Sequence, residues 1–465
     1  MPGRFRIQPR LVMATSTKPP SGMRDFLPAD LARRNFVVGV VREIYERYGF
    51  LPLETPAVEN VEILLGKYGE DEKLIYRIMH RGEELARVLK DPPADGLDAD
   101  VLSDQALRYD LTVPLARVVA QYGELPKYFK RYQIQPVWRA DRPGKGRFRE
   151  FYQCDVDITG TESLVAEAEV CAAACDVLDR LGFDGYTLCV NHRKLLRGLI
   201  RTAGIDVAAE GTALQAVDKL DKIGKDGVLG ELTERGIDAA AGARLLTLID
   251  RAADETDEAC LDGLAAAMTD DEGRAAIEQL RTLRGLLAAT SAGPRARIVP
   301  KLARGLGYYT GPIFEIQVHD LGSSIAGGGR YDELVGMFGK RKVPAVGLSL
   351  GLERILVVMA ERGMYPELAA GPELMLCWLD VDQAAVLGVA RQLRAAGVRV
   401  EVFPEAAKLG KQMQYADGPG VKAKWCGILG TDELARGELT VKHLASGEQT
   451  SVAFDAVASH LRARG

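Results

Sequence analysis

Between residues 148 and 158 the chain alternates with period two, so Phe151, Gln153, Asp155 and Asp157 share one face and Glu150, Tyr152, Cys154, Val156 and Ile158 the other. The run before it, residues 132–139, is apolar and extended. The loop between them, residues 141–146, holds Pro143, Gly144 and Gly146, which break regular structure. Pairing the two runs as a hairpin brings Arg139 near Phe148 and Phe151. One face then offers a guanidinium, an aromatic ring, an amide and carboxylates. Such a set fits a phosphate-bearing nucleotide beside a cationic small molecule, because the planar fork of arginine binds phosphate and a ring stacks on a base. A surface hairpin with solvated charges would carry the same letters, so other stretches must decide.

Four do. LRYDLT, residues 107–112, reads as a short strand leading into a helix over 113–122. Asp110 and Thr112 at its end set a carboxylate and a hydroxyl two residues apart, a pair that binds an ammonium group or simply caps the helix. KLARGLGYYTGPIFEI, residues 301–316, places Arg304 ahead of Tyr308 and Tyr309 among glycines that let the backbone approach a ligand. SIAGGGRYD, residues 324–332, is a glycine-rich strand end carrying Arg330 and Tyr331. VGLSLGLERILVVM, residues 346–359, is a strand entering an apolar helix. Its lone cation, Arg354, is costly to bury without an anion.

The elements that must hold these groups exceed one core: 465 residues imply two to three domains. A helix over 30–48 is striped by Leu31, Val38, Val41, Ile44, Tyr45 and Tyr48, and the strand after it is interrupted by Pro52 and Pro56, as at an edge or interface. A helix over 162–181 and a strand over 186–191 follow. From 192 to 298 Ala, Leu, Asp, Glu and Arg recur at helical spacing and aromatics nearly vanish, which predicts an inserted helical domain. After a linker, 363–371, the order is strand 373–379, helix 382–396, strand 398–403 and strand 423–429, a small α/β domain. Lys408, Lys411 and Gln412 begin a further helix there and are placed to meet RNA.

Net charge is -5, so there is no global basic signature, yet between residues 118 and 149 Lys127, Lys130, Arg131, Arg139, Arg142, Lys145, Arg147 and Arg149 face only Glu124 and Asp141. No apolar run reaches the roughly 18 residues of a membrane span. Seven cysteines without a C-x-x-C and five scattered histidines predict buried free thiols in a reducing compartment, the cytoplasm, and no metal site built from them. The first 24 residues lack Asp and Glu and are expected to be a disordered tail through residue 20, with Met13 a second candidate start.

R-A-D, the loop and G-R-F-R-E-F-Y-Q resemble motif 2 of the class II aminoacyl-tRNA synthetases, and E-F-Y-Q-C-D-V-D resembles their histidyl branch. The helix and strand ending at Pro56 are similar to motif 1, and G-L-E-R to motif 3. R-G-L-G-Y-Y resembles the segment peculiar to histidyl-tRNA synthetases. It departs from that segment at Gly307, where the family usually has an Asp able to brace Arg304 or the turn. The likeness runs from about Gly22 to the C-terminus.

It implies an α+β fold: a class II antiparallel-sheet catalytic domain over 21–191 and 299–362, the helical insertion over 192–298 lying above the tRNA acceptor stem, and a C-terminal α/β anticodon-binding domain of the class IIa kind over 372–465. The implied activity is ATP-dependent ligation of L-histidine to tRNA(His) through a histidyl-adenylate, with Mg²⁺ accompanying ATP and a homodimer built through motif 1. The implied roles follow. Arg139 and Arg304 grip the α-phosphate, Arg354 takes the distal phosphates and Phe151 stacks the adenine. Asp110, Thr112 and Gln153 hold the α-amino group. Asp157 and Tyr309 bond the imidazole, and Tyr308 and Tyr331 line its pocket. Arg142, Lys145, Arg147, Lys408 and Lys411 are the implied tRNA contacts. Two alternatives stay open. One is a histidine-sensing regulatory paralogue that partners ATP phosphoribosyltransferase and makes no adenylate. The other is a class II synthetase for another amino acid.

Overall fold

The expected hairpin forms from two ten-residue strands, Phe129–Trp138 and Glu150–Thr159, paired antiparallel with Arg131 opposite Asp157 and Val137 opposite Phe151. The computed structural model describes residues 16–65, 72–93, 96–252, 255–303, 307–319, 324–339, 341–368 and 371–464, without the side chain of residue 221. The tail over residues 1–15, with Met13, and Arg304 lie outside the described residues.

The hairpin belongs to a sheet whose strands run in the spatial order Leu51–Pro52, Phe129–Trp138, Glu150–Thr159, Ala345–Gly351, Ser324–Arg330, Pro312–Val318, Tyr186–His192 and Ala296–Ile298. Neighbours are antiparallel except at the two edges. Pro52 sits on an edge strand, where its missing N–H disrupts no ladder. The period-two pattern sorts the hairpin as expected: Cys154, Val156 and Ile158 are buried on the face away from the polar set. The helix Val165–Arg180 packs against the strands Glu150–Thr159 and Ala345–Gly351. The first helix, Pro28–Arg47, buries Val37, Val40, Val41, Ile44 and Tyr45.

Between residues 107 and 112 the structure differs from expectation. The strand, Gln105–Leu107, pairs with Val58–Asn60 and Tyr76–Ile78 in a separate small sheet and stops at Leu107. Arg108 ends it. Its guanidinium donates to the Thr55, Pro56 and Pro136 carbonyls and to Gln135 Oε1, holding the chain at this point. The chain then turns at Asp110 into the helix Thr112–Gln121.

The stretch expected to be helical is so, through helices such as Arg193–Thr202, Leu220–Glu234 and Asp271–Ala288. Its end is different: Ala296–Ile298 is a strand of the large sheet, parallel to Tyr186–His192. Asp271–Ala288 packs on Arg193–Thr202 and on Val165–Arg180, tying the helices to the sheet.

The chain divides into two compact units, one running to Asp25 and from Phe36 to Met364, the other made of Phe26–Asn35 and the chain from Tyr365 on. The second contains a mixed sheet ordered Val400–Val402, Leu374–Trp378, Trp425–Leu429, Glu438–His443 and Gln449–Ala453. Leu374–Trp378 is buried along its whole length, as a central parallel strand requires. The helix Gln383–Ala395 is capped by the Asp382 carboxylate. Gln412 does not meet solvent: it is fully buried and bridges Trp378 N–H, Trp378 C=O and Ala407 C=O. Lys408 and Lys411 on the same helix start are exposed, Lys411 beside Glu405 at 2.7 Å.

Candidate active site

The polar face of the hairpin forms one wall of a cavity of about 520 Å³ in the first unit. A volume of that size suits a small-molecule ligand. Each wall segment arrives by a local rule. Phe151, Gln153, Asp155 and Asp157 come from alternate positions of one strand. Asp110 and Thr112 come from a helix start. Tyr308 and Tyr309 come from the turn before the strand Pro312–Val318, and Tyr331 from the end of Ser324–Arg330. Arg354 stands in the first turn of the helix Leu352–Glu361. All of these line the cavity together with Arg139.

At one end the groups are acceptors and hydroxyls. Asp157 and Asp155 are each 2% exposed. Between them lies Arg131, 0% exposed, its Nη2 2.9 Å from Asp157 Oδ2 and 3.8 Å from Asp155 Oδ2. The Tyr331 hydroxyl donates to Asp157 Oδ1. Burial raises the Asp157 carboxyl above its usual range, while Arg131 and Tyr331 pull it back. Burial likewise raises Asp155, opposed by Arg131 and reinforced by Asp157. Asp110 Oδ1 accepts from Val113 N–H at 3.1 Å, so the residue caps its helix and also faces the cavity. The Tyr308 hydroxyl bonds Thr112, and its ring packs 4.9 Å from that of Tyr309 and 6.0 Å from that of Tyr331. Gln153 donates to Ser349 Oγ at 2.9 Å. Among the described residues, Gln153 Oε1 and Asp155 Oδ1 are buried without a hydrogen-bond partner. Buried acceptors in that condition are costly unless a ligand donates to them. Gly347 lets the neighbouring strand pass the pocket, because a Cβ there would overlap the Asp157 carboxylate.

Arginines and a ring mark the other wall segments. Arg139 Nε donates to Tyr109 C=O at 2.9 Å, and its guanidinium sits 5.2 Å from the Phe151 ring centre. Arg354 donates to Ser324 C=O. Gly146 of the hairpin loop lies against the Arg354 side chain. Glu353 accepts from Tyr152 N–H with both oxygens, at 3.1 and 3.0 Å, fixing the helix start to the hairpin. On the loop, Arg142, Lys145 and Arg147 are exposed, with Lys145 2.7 Å from Glu361 and Arg147 2.9 Å from Asp141. Among the described residues no three His, Cys, Asp or Glu side chains gather as a metal centre.

Arg330, singled out beside Tyr331, points elsewhere. It is 5% exposed and pairs bidentately with the fully buried Glu167, at 2.6 and 2.8 Å. Sequence reasoning missed Arg131, although register supplies a signal: counting back by twos from Arg139 reaches it, directly opposite Asp157. It also missed Asp218 and Lys222, which reach the cavity from the helical stretch and carry no motif.

Two family models match the chain: "Histidyl-tRNA synthetase" over residues 98–355 and "Anticodon binding domain" over 379–464. A protein of Cytophaga hutchinsonii named histidine–tRNA ligase is 40% identical over 451 residues, covering 95% of this chain and 98% of that protein. A crystal structure of histidyl-tRNA synthetase from Nostoc sp. PCC 7120 superposes with a TM-score of 0.78 at 30% identity, over 97% of this chain and all of that one. A Bacillus halodurans structure described as an ATP phosphoribosyltransferase regulatory subunit/histidyl-tRNA synthetase superposes with a TM-score of 0.70 at 19% identity, over 90% of this chain and 98% of that one, a likeness of fold alone.

Proposed function

The chain belongs to the histidyl-tRNA synthetase family, and from that membership we propose that it ligates L-histidine to tRNA(His) in two ATP-dependent steps. The observation that carries the reading is the cavity's division of labour: buried acceptors at Asp110, Gln153, Asp155 and Asp157 share one space with the guanidiniums of Arg139 and Arg354. A ligand that is cationic in one part and anionic in another satisfies both sets.

In the first step the histidine carboxylate attacks the α-phosphate of ATP and pyrophosphate leaves. No protein nucleophile is needed. The protein holds the reactants in line and offsets the charge that develops on phosphorus-bound oxygen. Arg139, anchored by Tyr109 C=O, grips the α-phosphate together with Arg304. Arg354 takes the distal phosphates, and Mg²⁺, arriving with ATP as part of the substrate, shares their charge. Phe151 offers its ring to the adenine. Asp110, Thr112 and Gln153 take the α-ammonium group. Asp157 and Tyr309 bond the imidazole nitrogens, within walls made by Tyr308 and Tyr331. In the second step the 3′-terminal ribose hydroxyl of the tRNA attacks the mixed anhydride. Arg142, Lys145 and Arg147 meet the acceptor end, and Lys408 and Lys411 meet the RNA from the C-terminal unit.

The proposal places the enzyme in the cytoplasm as a homodimer joined near the edge strand Leu51–Pro52, whose Leu51 is exposed. The regulatory alternative is disfavoured because a sensor has no use for Arg139 and Arg354 in the same cavity. Exchange of labelled pyrophosphate into ATP tests the assignment. Exchange that requires histidine is expected. A protein that binds histidine without exchange would be the sensor, and exchange driven by another amino acid would make it a different synthetase.

A further inference from the structure

The amino-acid end of the cavity holds more buried carboxylate than its guanidinium can offset. Asp155 and Asp157 lie two residues apart on the cavity face of one strand, each 2% exposed, and among the described residues Arg131 is the cation that touches them. Arg131 is also committed to Gln133 Oε1 and Leu111 C=O. Asp157 receives the Tyr331 hydroxyl on its other oxygen, whereas Asp155 Oδ1 is buried with no hydrogen-bond partner. The remaining groups that face the pair do not change this count. Tyr45 and Cys154 are buried and held neutral by burial. Ser349 is a neutral hydroxyl that hydrogen-bonds Asp155 without adding charge. Arg108 is held by three carbonyls and Gln135 and forms no ion pair with either carboxylate among the described contacts, and Asp155 acts on it less than Glu59 and Glu54 do. Asp110 adds a negative charge, which the α-ammonium group of an amino acid offsets.

Among the described residues one buried negative charge is therefore left over, and an uncompensated buried anion is among the costliest things a protein can hold. In the ligand-free site a proton on the pair removes it, consistent with the upward push that burial exerts on both carboxyls. On the reading that this cavity binds histidine, we propose that Asp155 and Asp157 form a two-carboxylate seat that binds the histidine side chain as imidazolium. The proton balance is closed. The carboxyl O–H of the pair breaks, its proton moves to the lone pair of the neutral ring's basic nitrogen, and the total charge of the site is unchanged. Both ring N–H groups then donate, one to the seat and one to the Tyr309 hydroxyl. Asp155 is thereby a specificity-determining residue. A side chain of similar size that cannot take the proton leaves it on a carboxyl and leaves Asp155 Oδ1 without a donor, the kind of mismatch that polar pockets reject most strongly.

The test is nitrogen NMR of ring-¹⁵N-labelled L-histidine bound to the full-length protein at pH 8. With an ordinary value near 6.5, about 3% of free rings are charged there. The expected spectrum of the bound ligand shows both ring nitrogens protonated. One protonated and one bare nitrogen would overturn the inference while leaving histidine binding in place. Asp155→Asn is expected to bind the ring in its neutral form and to raise the histidine Kd about tenfold, with ATP affinity unchanged as the check on folding. An imidazolium signal that persists in Asp155→Asn would also overturn it. Failure of the unaltered protein to bind histidine at all would remove both this inference and the function beneath it.

Discussion

Three forces meet on the Asp157 carboxylate: burial pushes its proton affinity up, while Arg131 at 2.9 Å and the Tyr331 hydroxyl pull it down. The result is an acceptor fixed in direction by two partners before any ligand arrives. Asp157→Ala removes the acceptor and leaves Asp155, at 3.8 Å, as the carboxylate that Arg131 still meets. A hydrogen bond to a charged group is worth about 1.5–3 kcal/mol, so the histidine Kd is expected to rise by roughly 10- to 150-fold, with ATP affinity within about threefold. Equilibrium binding of each ligand alone checks this, and equal loss of both would remove Asp157 from the amino-acid end. Single residues were unevenly legible. Phe151, Gln153 and Asp157 could be placed on one wall because strand alternation is strict. Arg131 lies just before the apolar run 132–139, so that run does not disclose its place in the same alternation. Asp155 was seen on the right face, but its shortage of partners is a property of the packed site and of no spacing.

Strands and helix starts explain why the wall is continuous. The hairpin register sets Arg131 across from Asp157, Gly347 clears room for that carboxylate, and Glu353 locks the motif-bearing helix to Tyr152. Alternation and glycine placement made the sheet's central strands readable. The segment after Leu107 was not, because the Arg108 side chain bonds across two distant stretches, 55–56 and 135–136, and no local pattern announces that. His192 shows an element-level device of another kind. It is 1% exposed at the junction of a strand and the helix Arg193–Thr202. Its Nδ1 accepts the Lys194 N–H at 3.0 Å, and its Nε2 faces Gln279 Oε1 at 2.8 Å. Capping requires the ring neutral with the proton on Nε2, and burial depresses its pKa from 6.5 to about 4. A depressed value means that the unfolded chain takes the proton first. The contribution is present above pH 6.5 and is lost as pH falls towards 4, amounting to about 3 kcal/mol over that window. His192→Asn keeps a cap acceptor without the titration. Urea unfolding at pH 7.5 and at pH 4.5 is expected to show a smaller acid loss for the variant, and an equal loss would mean that the acid sensitivity lies elsewhere.

At the scale of the whole chain, the net charge of -5 conceals where cations are spent. Many arginines are consumed internally, as Arg330 is by Glu167 and Arg131 by the aspartates. The order of motifs and the change of texture at residue 192 announced the architecture, whereas the approach of Asp218 and Lys222 to the cavity depends on how helices dock and left no trace in spacing. Under the proposed function, the exposed bases on the hairpin loop and at the start of the helix Leu409–Asp417 are the candidates for phosphate contact. Arg142 and Lys408 are both exposed, so each charge can be reversed at the surface. Arg142→Glu and Lys408→Glu are each expected to raise the KM for tRNA(His) about five- to tenfold and to flatten the salt dependence of tRNA binding by about 0.7–0.9 in log–log slope, the signature of one lost phosphate contact. Histidine-dependent pyrophosphate exchange, which needs no tRNA, is expected to stay within about twofold. A fall in exchange that matches the fall in charging would mean that the substituted residue serves the amino-acid cavity and not the nucleic acid.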